Sequence, residues 1–103
     1  MLEVYRCAIE FLALLVELPA GLPRGHSGLA EQLRRAALSI PLAAGRTSNA
    51  DAARHYAIAR GSAMECTALM DALRILAGID DDRHAGAIEL LGRIVAMLTK
   101  LCR

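Results

Sequence analysis

Apolar positions recur with a helical period in four segments of this chain, separated by turn-forming residues. The first segment runs from Leu2 to Leu18. Glu3, Glu10 and Glu17 fall seven residues apart and mark one solvated stripe. Val4, Ala8, Phe11, Leu12, Leu15 and Val16 cover the opposite face. The stretch from Leu18 to Gly25, with Pro19, Gly21 and Pro23, reads as the connection that stops it. A second helix is predicted after Ser27, a good N-cap residue, with Gly45 at its end. Leu29, Leu33, Ala36, Ala37 and Ile40 form its buried face. Pro41 lies inside this pattern. It removes a backbone donor and crowds the carbonyl of Ala37, so the helix is expected to bend or loosen there.

A third helix opens at Ser48-Asn49-Ala50-Asp51, the S-x-x-D form of a capping box. It continues to about Ala77, with Gly78 as its stop, which makes it roughly 40 Å long at 1.5 Å per residue. Its centre, from Ala57 to Ala63, is rich in small residues that let a neighbouring backbone come close. Close packing there is expected to offset the cost of Gly61, about 1 kcal/mol against alanine in an isolated helix. The fourth helix follows Asp80-Asp81-Asp82, whose carboxylates complement the helix dipole. Ile88, Leu91, Ile94 or Val95, Leu98 and Leu101 repeat at near-heptad spacing, and Lys100 and Arg103 fall in the last turn. No segment alternates with period two. Four helices with short connections predict an all-α fold, an antiparallel up-and-down four-helix bundle forming one domain over residues 1–103.

Composition adds one constraint. The chain has 103 residues and can bury only a shallow core. Yet 55% of its residues are hydrophobic and its mean hydropathy is +0.37. That surplus predicts an apolar face covered by self-association or by a partner helix. No apolar run approaches the roughly 20 residues of a membrane span. The run from Phe11 to Val16 stops at Glu17, so no membrane is expected. Glu3, Arg6 and Glu10 fall where a signal peptide would be apolar. Cys7, Cys66 and Cys102 form no CxxC pair and read as reduced, buried, small hydrophobes of a cytoplasmic protein.

The net charge of +1 hides an uneven distribution. Residues 1–18 set Arg6 against Glu3, Glu10 and Glu17. Residues 19–60 set six arginines (24, 34, 35, 46, 54 and 60) against Glu31 and Asp51. Residues 61–103 are close to balance. Arginine suits phosphate and bidentate carboxylate recognition. The basic excess in the middle therefore has two readings, a nucleic-acid surface or pairing with Glu31, Glu65 and Asp71 within or between subunits. Arg60, five residues before Glu65, is better placed for a partner on another helix.

The remaining chemistry is sparse. His26, His55 and His84 fall in three separate segments. No Glu-x-x-His or His-x-x-x-His pair supplies metal ligands. Asp80-Asp81-Asp82 reads as a capping turn, because the rest of a calcium loop is missing. No phosphate-binding glycine loop or nucleophile motif is present, nor an Arg and His spaced as in a helical ribonuclease. Tyr5 and Tyr56 are too few for a stacking platform. The expectation is a protein that is not an enzyme and takes no cofactor or metal.

Two segments carry a resemblance. Gln32-Leu33-Arg34-Arg35-Ala36-Ala37 leads into Ser39-Ile40-Pro41, and Ile58-Ala59-Arg60-Gly61-Ser62 is followed by Glu65. Both are similar to motifs of the bacterial four-helix bundle proteins first noticed as reading frames in intervening sequences of large-subunit ribosomal RNA genes. The opening Val4-Tyr5-Arg6-Cys7-Ala8 is a weaker match. The resemblance spans essentially the whole chain. It implies a left-turning up-and-down bundle that assembles into a ring-like homo-oligomer, commonly a pentamer. It also implies kinship with accessory subunits of reverse transcriptases in diversity-generating retroelements, which are strongly basic and bind nucleic acid. One departure stands out. The family usually follows its proline with asparagine-isoleucine-alanine-glutamate-glycine, whereas here Leu42-Ala43-Ala44-Gly45 leads straight to Arg46. About one turn of helix is absent, so the second helix is expected to end early.

The leading expectation is a non-enzymatic, self-assembling helical scaffold or adaptor. The alternative is an accessory protein that binds RNA or DNA. Arg34, Arg35, Arg46, Arg54 and Arg60 are the candidate contacts in either case, and Pro41, Gly61 and Ser62 are assigned to helix packing. A contiguous exposed arginine stripe favours nucleic acid. Arginines paired with Glu31 and Glu65 favour the scaffold.

Overall fold

The computed structural model describes residues 2–18, 25–45 and 51–102. Among them are four helices and no strand: α1 (Leu2–Leu15), α2 (Ser27–Ala44), α3 (Ala52–Ala77) and α4 (Asp81–Leu101). Each packs chiefly on two others, α1 and α3 both lying against α2 and α4. The helices therefore form a square whose edges follow chain order. Polar partners across the helices run in opposite directions along the chain. Glu3 meets Arg93 and Glu17 meets Arg83, while Arg74 meets Asp81, Asp71 meets His84 and Arg60 meets Thr99. This makes α4 antiparallel to both α1 and α3. The molecule measures 44 × 22 × 18 Å.

The predicted apolar stripes line one core. Its largest fully buried side chains are Phe11, Leu33, Ile40, Met70, Leu73, Leu91, Ile94 and Leu98. Among the described residues no polar or charged side chain is buried in it. The stability of the fold thus rests on apolar burial, about 1.5–3 kcal/mol for each large side chain removed from water. None of the helices is long and apolar enough to cross a membrane.

Helix ends show where local chemistry differs from expectation. α1 stops at Leu15 and tightens through bonds from Val16 N–H to Ala13 and from Leu18 N–H to Leu15. That turn tucks Leu18 into the core and leaves Val16, expected inside, 76% exposed. α2 begins at Ser27 itself, so His26 is its N-cap, and Ala30 N–H closes the first turn onto the His26 carbonyl at 3.2 Å. Pro41 does not end α2. The helix continues to Ala44, and the Gly45 N–H reaches back to the Pro41 carbonyl at 2.9 Å. Asp51 is the N-cap of α3 and makes no side-chain capping bond, so it does not act as the fourth residue of a capping box. Ser48, Asn49 and Ala50 lie outside the described residues, as do Pro19 to Arg24, Arg46 and Arg103.

The connection between α3 and α4 follows the sequence closely. Gly78 adopts φ +68°, the left-handed conformation that favours glycine. Asp80 caps α4, its carboxylate accepting the Arg83 N–H at 2.8 Å.

Candidate interaction surface

The two sequence motifs lie on neighbouring helices and touch. The Ser62 hydroxyl on α3 donates to Ser39 Oγ on α2 at 2.9 Å, and both residues are half-buried. Small residues from both motifs are buried, Ala36 and Ala37 from α2 and Ala59 and Ala63 from α3. Gly61 does not share in this. It is exposed, and a Cβ built on it would meet nothing within 4 Å. The close approach expected at Gly61 is therefore not made among the described residues. The alanines either side of it make the interior contact, because positions 59 and 63 face the core and 61 points away. Pro41 is buried.

The candidate arginines divide. Arg34 Nη1 lies 2.9 Å from Glu31 Oε2, and Arg35 Nε lies 3.9 Å from Glu31 Oε1, with the Arg35 side chain 79% exposed. Arg60 finds a partner on another helix, as expected, but a neutral one: its Nε donates to Thr99 Oγ1 at 2.8 Å. Thr99 in turn donates to the Val95 carbonyl at 2.7 Å. Arg54 is exposed and has no ion-pair partner among the described residues. Among the described residues Glu65 pairs with no arginine, and Asp71 is taken by His84, 2.7 Å away. Arg46 lies outside the described residues.

Two open grooves flank α2. The one against α1 holds about 450 Å³ and is lined by Ile9, Leu12, Val16 and Leu38, with Arg34 at its edge. The one against α3 holds about 440 Å³ and combines Leu38, Leu42 and Ile58 with Arg35, Arg54 and His55. Leu38 belongs to both, so the apolar surface runs unbroken from α1 across α2 to α3. Leu42 is 59% exposed on it.

A third groove, of about 440 Å³ between α1 and α4, has the opposite charge. Glu10, Glu17 and Glu89 line it beside Leu14, Leu90 and Arg93. Reading Glu10 and Glu17 as a solvated stripe missed this, because Glu89 joins them only once α4 packs on α1. The seven-residue spacing and the net negative charge of the first segment were its signal.

The cysteines carry no site. Cys7 and Cys66 are buried and Cys102 is half-buried, contrary to its expected burial. Burial pushes the Cys66 thiol up to about 12, and Glu65 acts in the same direction. Burial also raises Cys7, with Arg93 opposing. Among the described residues no group of three His, Cys, Asp or Glu side chains could hold a metal ion.

Comparison with known families decides the kinship that the paired motifs suggest. The pattern of the 23S rRNA-intervening sequence proteins matches residues 1–100, spanning all but the end of α4. The chain belongs to the 23S rRNA-intervening sequence protein family. No curated protein matches it individually. In this family member the matched region includes both central motifs, the Ser39–Ser62 bond that joins them, and all three grooves.

Proposed function

We propose that this 23S rRNA-intervening sequence protein is a non-enzymatic helical scaffold or adaptor that assembles with copies of itself. The observation that carries this reading is the unbroken apolar surface through Leu38, from Ile9 and Leu12 to Leu42 and Ile58. A small domain leaves such a surface in water at a cost, and a second protein surface removes it. Ile75 and Leu76, exposed at the far end of α3, add to the surplus. The assembly is taken to be cytoplasmic and ring-like, five copies being the number the family resemblance implies.

The nucleic-acid reading rests on one feature: Arg35 and Arg54 share a groove that no carboxylate lines. Against it, Arg34 turns to Glu31 and Arg60 to Thr99, so two of the four described candidate arginines are already engaged within the chain. Sedimentation velocity over a wide concentration range tests the leading reading, with assembly expected and a monomer throughout refuting it. Fluorescence anisotropy against a structured RNA, titrated with salt, tests the other. Tight binding that falls steeply with salt would place phosphate contacts ahead.

A further inference from the structure

We propose that copies of this chain join head-to-tail, the acidic groove between α1 and α4 of one copy seating against the basic groove between α2 and α3 of the next. This rests on the self-assembly proposed above and names the faces that meet. In the square of helices these two grooves lie on opposite edges. They are complementary in character. Leu42 and Ile58 lie with Arg35 and Arg54 on one, and Leu14 and Leu90 lie with Glu10 and Glu89 on the other.

Charge decides how they pair. Within the chain Glu17 is engaged by Arg83 at 3.6 Å, and Arg93 by Glu3 at 3.2 Å. Glu10 and Glu89 have no ion-pair partner among the described residues, and nor does Arg54. Among the described residues Arg35 has only its 3.9 Å contact with Glu31. A two-fold contact that set either groove against itself would gather these unneutralised charges with others of like sign. Such a juxtaposition of like charges opposes association. Setting each groove against the other pairs them and covers both apolar floors in one step. That contact is heterologous, so it closes into a ring when the faces are inclined and continues as a filament when they are not.

The test uses two charge-reversed proteins, Arg35→Glu/Arg54→Glu and Glu10→Arg/Glu89→Arg. All four positions are exposed on helix surfaces, and circular dichroism checks that both fold. Each alone is expected to sediment as a monomer, its assembly constant at least about a hundredfold below wild type. An equimolar mixture is expected to associate in alternating order, as open or even-numbered species, because a ring of five cannot alternate two variants. One chain carrying all four changes is expected to assemble as wild type does. Either double variant assembling like wild type overturns the proposal, as does a mixture that stays monomeric. If Arg35→Glu/Arg54→Glu assembles normally but loses RNA binding, the basic groove belongs to nucleic acid and the proposal also fails. A wild-type protein that is monomeric throughout refutes self-assembly itself. Wild-type assembly indifferent to the reversals refutes only this choice of faces.

Discussion

Pro41 is a buried proline three residues short of the end of α2, and replacing it with alanine sets opposing effects against each other. Alanine restores the N–H that the Ala37 carbonyl lacks and removes the ring that crowds it. In a helix interior that exchange is worth about 3 kcal/mol in favour of alanine. Two costs oppose it. The buried ring loses two methylenes, about 0.8 kcal/mol each. The unfolded chain also gains freedom, which costs about 0.4–1 kcal/mol. The balance is a stabilisation of about 0.4–1 kcal/mol, which in a domain of this size raises Tm by about 2–8 °C. Thermal and urea melts followed by far-UV circular dichroism, at a concentration where the protein is monomeric, measure it. A Pro41→Ala variant less stable than wild type by about 1 kcal/mol or more would refute the reasoning. It would mean that the ring is a packing piece the core depends on, not a tolerated interruption.

Three further predictions follow from positions described above. Gly61→Ala should stabilise the monomer by about 1 kcal/mol, since the new methyl meets open space and alanine is the better helix former; an unchanged or lower Tm would show that the glycine is needed where it stands. Ser39→Ala and Ser62→Ala should each cost about 1 kcal/mol by stranding a half-buried hydroxyl, and the double variant should cost less than the two together; strictly additive losses in urea melts would deny the bond any coupling. Above its ordinary value of 9.0 the Cys66 thiol ionises in the unfolded chain but stays protonated in the folded one up to about 12. The unfolded state therefore binds fewer protons, and stability should fall as pH rises from 9 toward 12. Melts of Cys66→Ala over the same range should fall less steeply, and parallel curves would contradict the assignment.

The fold was legible because its signals are local and agree with one another. The heptad of glutamates, the Gly78 stop and the Asp80 cap each mark an element or an end without reference to the rest of the chain. The errors lie where tertiary packing decides. Val16 carries the right period for the core, but α1 stops one residue before it and Leu18 takes the buried place. Gly61 belongs to a run of small residues, yet only every fourth position of that run faces the interior. Of the surface, sequence supplied the separate charges and not their grouping. Arg35 and Arg54 are nineteen residues apart, and Glu10 and Glu89 sit on helices at opposite ends of the chain.

The link between α3 and α4 also has a kinetic consequence. Its left-handed glycine and its aspartate cap are set within three residues, and Arg74–Asp81 and Asp71–His84 close just beyond them. This hairpin can form early, because little chain entropy is lost in closing so short a loop. α1 has no such advantage on its α4 side, where Glu3 must find Arg93 across 90 positions of chain. Folding is thus expected to start from the hairpin and finish when α1 docks. In chevron measurements, Asp80→Ala should mainly slow folding, whereas Val4→Ala should mainly speed unfolding.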